Sequence, residues 1–334
     1  MDTLKSTSAG MVFGAALTLS RVYVPTVIIN QLRLRDFHML EVFLTASASS
    51  ALIMLGFEKF GIAKRSVRTN SSLGWFSYYD GNIIGGSLLG VGMGLTGACP
   101  GTVLPQLAQG IESAPWTTLG AVLGGAMYAK FGKSLVFSSH SSKDEDPIDL
   151  NNHTISSKFN ASPSATFLTF EGLVITTTAL SALLLPGKTF AILPTVVGGL
   201  LIGAAQVASI TLTSSPLGVS NAYQQLGSYL CRAIGFEDVP RPPFPPKSIL
   251  FALGILIGSA VSGPLLPKLA NAGVVPISNI QAMIGGFILV LGARIAGGCT
   301  SGHGISGLSA MSFSSLITTA AMFGAGIVTQ LILK

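Results

Sequence analysis

Long apolar runs separated by short polar stretches dominate the chain. Nine of these runs approach the ~20 apolar residues that an α-helix needs to cross a ~30 Å hydrocarbon core. They lie at residues 9–29, 38–57, 82–99, 116–137, 165–185, 191–213, 248–267, 279–299 and 313–333, and each is predicted to be a membrane-spanning helix. The first is too long and too glycine-spaced for a cleavable signal peptide, and no A-x-A-like site follows it, so it reads as part of the mature protein. Two shorter apolar pieces, 102–110 and 303–311, each follow a glycine-rich break and precede a full span. They read as re-entrant half-helices. Residues 217–234 form a third irregular or partly inserted segment.

The polar stretches divide the chain. Residues 138–163, rich in Ser, Asn and Asp, cannot bury a core and read as a flexible linker. The division is therefore a first membrane repeat (1–137), a polar cytoplasmic linker (138–163), a connecting transmembrane helix (164–190) and a second repeat (191–334). With nine spans, twelve Lys and Arg residues fall on the side of the N-terminus and five on the other, which places the N-terminus in the cytoplasm and the protein in a cell membrane. The sequons at Asn70, Asn152 and Asn160 then face the cytoplasm and read as chance matches.

Composition supports the class. Charged residues are 10% of the 334 and hydrophobic ones 49%, against about 25% charged in a soluble domain. The net charge of +6 reflects cytoplasmic loops and carries no implication of nucleic acid. Three cysteines do not make a disulfide framework.

A self-match at an offset of 200 residues is the most informative feature. GGSLLGVGMGLTGACPGT at 85–102 aligns without a gap on GGFILVLGARIAGGCTSG at 285–302, pairing Gly85, Gly86, Leu89, Gly92, Gly97 and Cys99 with Gly285, Gly286, Leu289, Gly292, Gly297 and Cys299. A weaker echo pairs GMVFGAA (10–16) with GGLLIGAA (198–205). The strong copies are the third and eighth spans, an odd number of crossings apart, and so run in opposite directions. The fold expected is an all-α polytopic membrane protein, an inverted-repeat bundle of about nine transmembrane helices with two re-entrant half-helices, its substrate path at the repeat interface.

Gly85, Gly86, Gly92 and their partners suit close helix packing. The glycines and proline around Cys99 and Cys299 cannot continue a helix cheaply, and irregular backbone at membrane depth is tolerated only inside protein or along a cavity. A short helix restarting after each break is capped by Thr102, or by Thr300 and Ser301, and offers backbone N–H groups to an anion around Gly101 and Gly302. No acidic side chain lies between Gly81 and Ile111 or from Leu269 to the C-terminus, so the permeant is expected to be negative. Uncharged thiols at Cys99 and Cys299 do not repel an anion, and suit a polarisable sulfur better than a strongly hydrated oxygen. Two thiols without nearby carboxylates make a poor zinc site, so no metal and no cofactor are expected. Arg294, five residues before Cys299, either attracts the anion or pins carbonyls of the broken helix. His303 reads as a pore-mouth donor or a helix-terminus residue, while Arg21 and Cys231 read as structural.

These paired motifs resemble the YeeE/YedE-type sulfur-transport family over most of the chain, from Gly10 to Leu333. The resemblance implies an hourglass-shaped inverted repeat and a permease for thiosulfate, relayed by hydrogen bonds between thiols and ion, with Cys99 and Cys299 as the central cysteines. It also implies a soluble sulfur-carrier protein as a partner. Family members commonly hold a further cysteine in the first span, where this chain reads Ser20-Arg21-Val22-Tyr23-Val24. The competing reading is a membrane sulfurtransferase that passes persulfide sulfur to an acceptor, which needs an activated, accessible thiolate.

Overall fold

The computed structural model describes residues 2–63, 65, 67–135, 153–184, 193–266 and 275–333. The acidic cluster Asp144-Glu145-Asp146 and the sequon at Asn152 lie outside the described residues. Among those described there are thirteen α-helices: α1 (Asp2–Leu19), α2 (Pro25–Leu32), α3 (His38–Lys59), α4 (Asp80–Thr96), α5 (Val103–Ala108), α6 (Ala114–Leu135), α7 (Ile155–Lys158), α8 (Pro163–Leu184), α9 (Thr195–Thr213), α10 (Ser220–Ala233), α11 (Lys247–Ser262), α12 (Asn279–Ile295) and α13 (Phe313–Ile332). A 3-10 turn (Gly263–Leu265) follows α11, and a π-helical segment (Ser301–Gly307) lies between α12 and α13.

The protein is a polytopic helical membrane protein. By length and composition, α3, α8, α9, α11 with its following turn, and α13 can each cross a bilayer. The helices α4 and α12 match predicted spans but stop short, at Thr96 and Ile295, because the glycine–cysteine motifs end them. The span predicted at 9–29 is broken as well. Helix α1 ends at Leu19, Arg21 takes a left-handed φ of 56°, and Pro25 opens α2, where a missing N–H costs nothing. The segment 217–234 contains a regular 14-residue helix, α10.

Glycines set the helix contacts. Helices α4 and α12 cross antiparallel: a methyl group on Gly85 would sit 2.4 Å from the backbone nitrogen of Ala296, one on Gly92 2.6 Å from Cα of Leu289, and one on Gly292 2.5 Å from the nitrogen of Leu89. Contacts this short leave no room for any side chain. Around this pair the packing is exchanged between the halves. Helix α13 packs on α4 through Gly86 and Gly90, and α6 packs on α12 through Gly120, Gly124 and Gly286. Helix α1 packs on α11 through Gly10, Gly14, Gly254 and Gly258, and α9 packs on α3 through Gly199 and Gly203. The half-helix α5 lies against α11, and the π-helical segment against α3.

Helix α8 sits outside this bundle against α3 and buries only Val174 and Ser181. One end is pinned by Glu41, a buried side chain of α3 whose carboxyl oxygens accept 2.6 Å hydrogen bonds from the hydroxyls of Ser181 and Thr195. A buried hydrogen bond contributes roughly 0.5–1.5 kcal/mol net, and leaving its partners unpaired costs more. Glu41→Ala is therefore expected to lower the thermal midpoint in detergent by several degrees, with Glu41→Gln intermediate. Part of the predicted linker is also held in place. Thr154 pairs with Ser312, and the N–H of Ile155 donates to the carbonyl of Met311 at 2.8 Å.

Candidate functional site

The two cysteine motifs turn on glycines at matching positions. Gly97 ends α4 with φ 56° and Gly297 follows α12 with φ 81°, a region open to glycine and costly for most other residues. Each turn is then locked by hydrogen bonds. The N–H of Cys99 donates to Oγ1 of Thr102 at 2.8 Å, and the carbonyl of Cys99 accepts from the N–H groups of Thr102 and Val103. Gln106 donates from Nε2 to the carbonyls of Gly97 (2.9 Å) and Tyr23 (2.7 Å), which ties the break in the first span to the break after α4. In the second motif the carbonyl of Cys299 accepts from the N–H of His303 at 2.8 Å.

The motifs meet inside the protein. Cys99, Gly101, Thr102, Thr300 and Ser301 share the wall of one central cavity of about 30 Å³, lined on its other sides by apolar residues including Phe13, Leu17, Val22, Phe43 and Ile305. That volume holds about one water molecule, so the passage is constricted. Cys99 faces the cavity, whereas Cys299, 0% exposed, stands behind Ser301, whose hydroxyl is 3.3 Å from its sulfur. The N–H of Val219 donates to the same sulfur at 3.5 Å. The two thiols lie within electrostatic reach of each other. All three cysteines are free, and among the described residues no cluster of His, Cys, Asp and Glu could hold a metal ion.

The remaining predicted residues are used differently. Thr300 donates its hydroxyl to the sulfurs of Met93 and Met322, seating the second motif between α4 and α13. His303 is buried, with Nδ1 2.9 Å from Oγ of Ser315 and Nε2 3.0 Å from the carbonyl of Ala296, so both ring nitrogens hold the bend. Arg294 donates from Nη1 to Oδ1 of Asn221 at 2.5 Å and lies over the ring of Tyr128, within electrostatic reach of Cys299. Cys231 is buried away from the cavity in an apolar cluster with Ala126, Ala129 and Val239.

Two contributors had no local signal in the sequence. Helix α10 and the residue before it brace both motifs: Tyr223 donates its hydroxyl to the carbonyl of Pro100 at 2.9 Å while Val219 meets Cys299. Arg68, in the loop between α3 and α4, reaches across to donate from Nε to the carbonyl of Gly302 and from Nη1 to that of Gly297, each at 2.8 Å. That loop is folded onto α4 by Asp80, whose carboxyl accepts from the N–H groups of Leu73, Trp75 and Phe76. Its exposed Trp75, Phe76 and Tyr78 suit a membrane–water interface.

At the opposite end of α12 a vestibule of about 1190 Å³ opens between the α5–α6 connection, the end of α11 and the start of α12. Tyr23 and Val24 line it while Val22 lines the central cavity, so adjacent residues separate the two spaces.

Two cysteine turns that meet at a small cavity among helices able to cross a bilayer suit a membrane transport protein. A family model described as sulphur transport matches residues 19–329, and the chain belongs to that family. The thiosulfate transporter TsuA of Spirochaeta thermophila is 23% identical over 330 residues, covering 93% of this chain and 92% of that one. A probable transporter of Xylella fastidiosa strain 9a5c is 27% identical over 134 residues, which are 89% of its own length and 40% of this chain.

Proposed function

We propose that this protein is a permease for thiosulfate or a closely related sulfur anion, which passes from the vestibule to Cys99, across the central constriction to Cys299, and out past Arg68. The observation that carries the reading is the meeting of the two cysteine motifs at one small cavity with no acidic side chain on its wall. The full-length similarity to a protein named as a thiosulfate transporter supports the choice of anion. Thiols supply weak, reversible hydrogen bonds that hold a sulfur anion without trapping it, with N–H donors and hydroxyls around Gly101, Thr102, Ser301 and Gly302 taking its oxygens. Since about one water fills the cavity, transport requires it to widen.

The two halves, 1–137 and 191–334, act in this reading as inverted copies joined by the linker and α8. The exchanged packing partners, the paired glycine turns and a relative about half as long each support it. Inward transport across the cell membrane, with the N-terminus in the cytoplasm and a soluble sulfur carrier receiving the anion, follows from the charge bias and the family resemblance. A sulfurtransferase would need a base beside one thiol, and the imidazole of His303 has both nitrogens engaged.

The test is flux into proteoliposomes of purified full-length protein. Labelled thiosulfate is expected to enter well above the protein-free rate, with sulfate and water passing little faster than background. Equal passage of all three, or a persulfide turnover intermediate on either cysteine without net flux, would displace the permease reading.

A further inference from the structure

Arg68 lies at the second cysteine turn, close to Cys299, with no carboxylate partner among the described residues. Its guanidinium carries five donors in a planar fork. Two groups, Nε and Nη1, hold the carbonyls of Gly302 and Gly297, which fixes the plane of the fork across the second cysteine turn. The third, Nη2, makes no hydrogen bond among the described residues, and no carboxylate pairs with the side chain. A methyl group on Gly302 would lie 2.8 Å from Nη2 of Arg68 and 3.8 Å from the sulfur of Cys299, so the guanidinium and the thiol flank one glycine. Gly218 borders the same amino group: a methyl group there would meet Nη2 at 3.9 Å. The second guanidinium near Cys299, that of Arg294, donates from Nη1 to Asn221 and lies over the ring of Tyr128, with Nε buried and unpartnered.

A cation held only by carbonyls, with one amino group left over beside two glycines and a thiol, is arranged to receive an oxyanion. Arginine suits this better than lysine because Nε and Nη1 grip the protein while Nη2 stays available. We propose that Arg68 recognises the oxygen atoms of the transported anion while Cys299 faces its sulfur, so that thiol and guanidinium together select for a sulfur anion bearing oxygens. The proposal rests on the permease reading above and assigns the specificity of its second station.

The experiment measures how fast Cys299 reacts with two thiosulfonate reagents of similar size, one ending in a sulfonate and one in an ammonium group. Full-length protein in proteoliposomes is labelled, and modification at Cys299 is quantified by peptide mass spectrometry. The native protein is expected to favour the anionic reagent. In Arg68→Gln the anionic-to-cationic ratio should fall about tenfold, the scale of local anion enrichment by a charged cleft, and Arg68→Lys should restore most of it. A purely structural staple would behave otherwise: its loss would loosen the bend and change both rates together. An unchanged ratio in Arg68→Gln therefore overturns the proposal, as does a Cys299 that neither reagent reaches in any variant. Thiosulfate uptake by native protein, measured in the same vesicles, tests the permease reading separately. Uptake with an unchanged ratio removes only the role of Arg68, whereas a shifted ratio without uptake leaves an anion site in a protein that is not a thiosulfate permease.

Discussion

Cells that depend on this protein for thiosulfate stop taking it up when Cys99 or Cys299 is replaced by serine, with an expected loss of at least about a hundredfold, or roughly 2.7 kcal/mol in the barrier to passage. In the proposed route the two stations act in series: Cys99 faces a cavity that holds about one water molecule, and Cys299 lies behind Ser301. Serine preserves shape but replaces a polarisable sulfur with a smaller, better-solvated hydroxyl that favours the backbone groups around it over a sulfur anion. Folding should survive. Neither thiol is in a disulfide or a metal site, and the turns are held by Thr102, Gln106 and His303. Size-exclusion profiles and thermal midpoints close to native, combined with lost uptake, are the expected pair of results. Uptake within about twofold of native in both variants would remove the thiols from the mechanism.

The second large effect is on the scaffold. Gly92→Leu or Gly292→Leu drives a branched side chain into backbone 2.6 or 2.5 Å from the position of its first carbon. Overpacking a well-filled contact by far less costs about 1–3 kcal/mol, and here the obstacle is the main chain of the partner helix. Both helices end in cysteine turns, so pushing them apart also moves Cys99 relative to Cys299. The expected outcome is protein that aggregates on detergent extraction or loses about 3 kcal/mol or more of stability. Gly324 in α13 is the control, since a methyl group there meets nothing within 4 Å. Gly324→Ala should be neutral or stabilising by up to about 1 kcal/mol through helix propensity. A monodisperse, active Gly92→Leu protein would mean that α4 and α12 do not cross at these glycines.

Much of this arrangement could be read along the chain because the membrane imposes a simple rule. Backbone groups in hydrocarbon must be paired, so long apolar runs become helices and glycine–proline breaks mark places that protein encloses. The 200-residue self-match points to the turns at Gly97–Cys99 and Gly297–Cys299, and Cys99, Gly101, Thr102, Thr300 and Ser301 from these motifs line one cavity. Other features depend on contacts across the chain that leave no periodic trace. Arg68 lies in a polar loop and reads as one more basic residue until Gly302 and Gly297 come within 2.8 Å of it. Tyr223 lies in a segment too short and too polar to read as a span, yet its hydroxyl braces Pro100. The break at Arg21 was hidden inside an apolar run, because Val22, Val24 and Val27 continue the hydropathy while Pro25 and the left-handed turn end the helix. That break also places Val22 at the wall of the cavity.

The most direct test of the route between the thiols is an experimental structure of the full-length protein determined with selenosulfate, the selenium analogue of thiosulfate. Anomalous scattering locates the selenium independently of the protein. A peak in the central cavity, between the sulfurs of Cys99 and Cys299 and lost in Cys99→Ser, is the predicted result. A peak confined to the vestibule around Gln109 and Ser278, or at a helix face turned toward lipid, would contradict it.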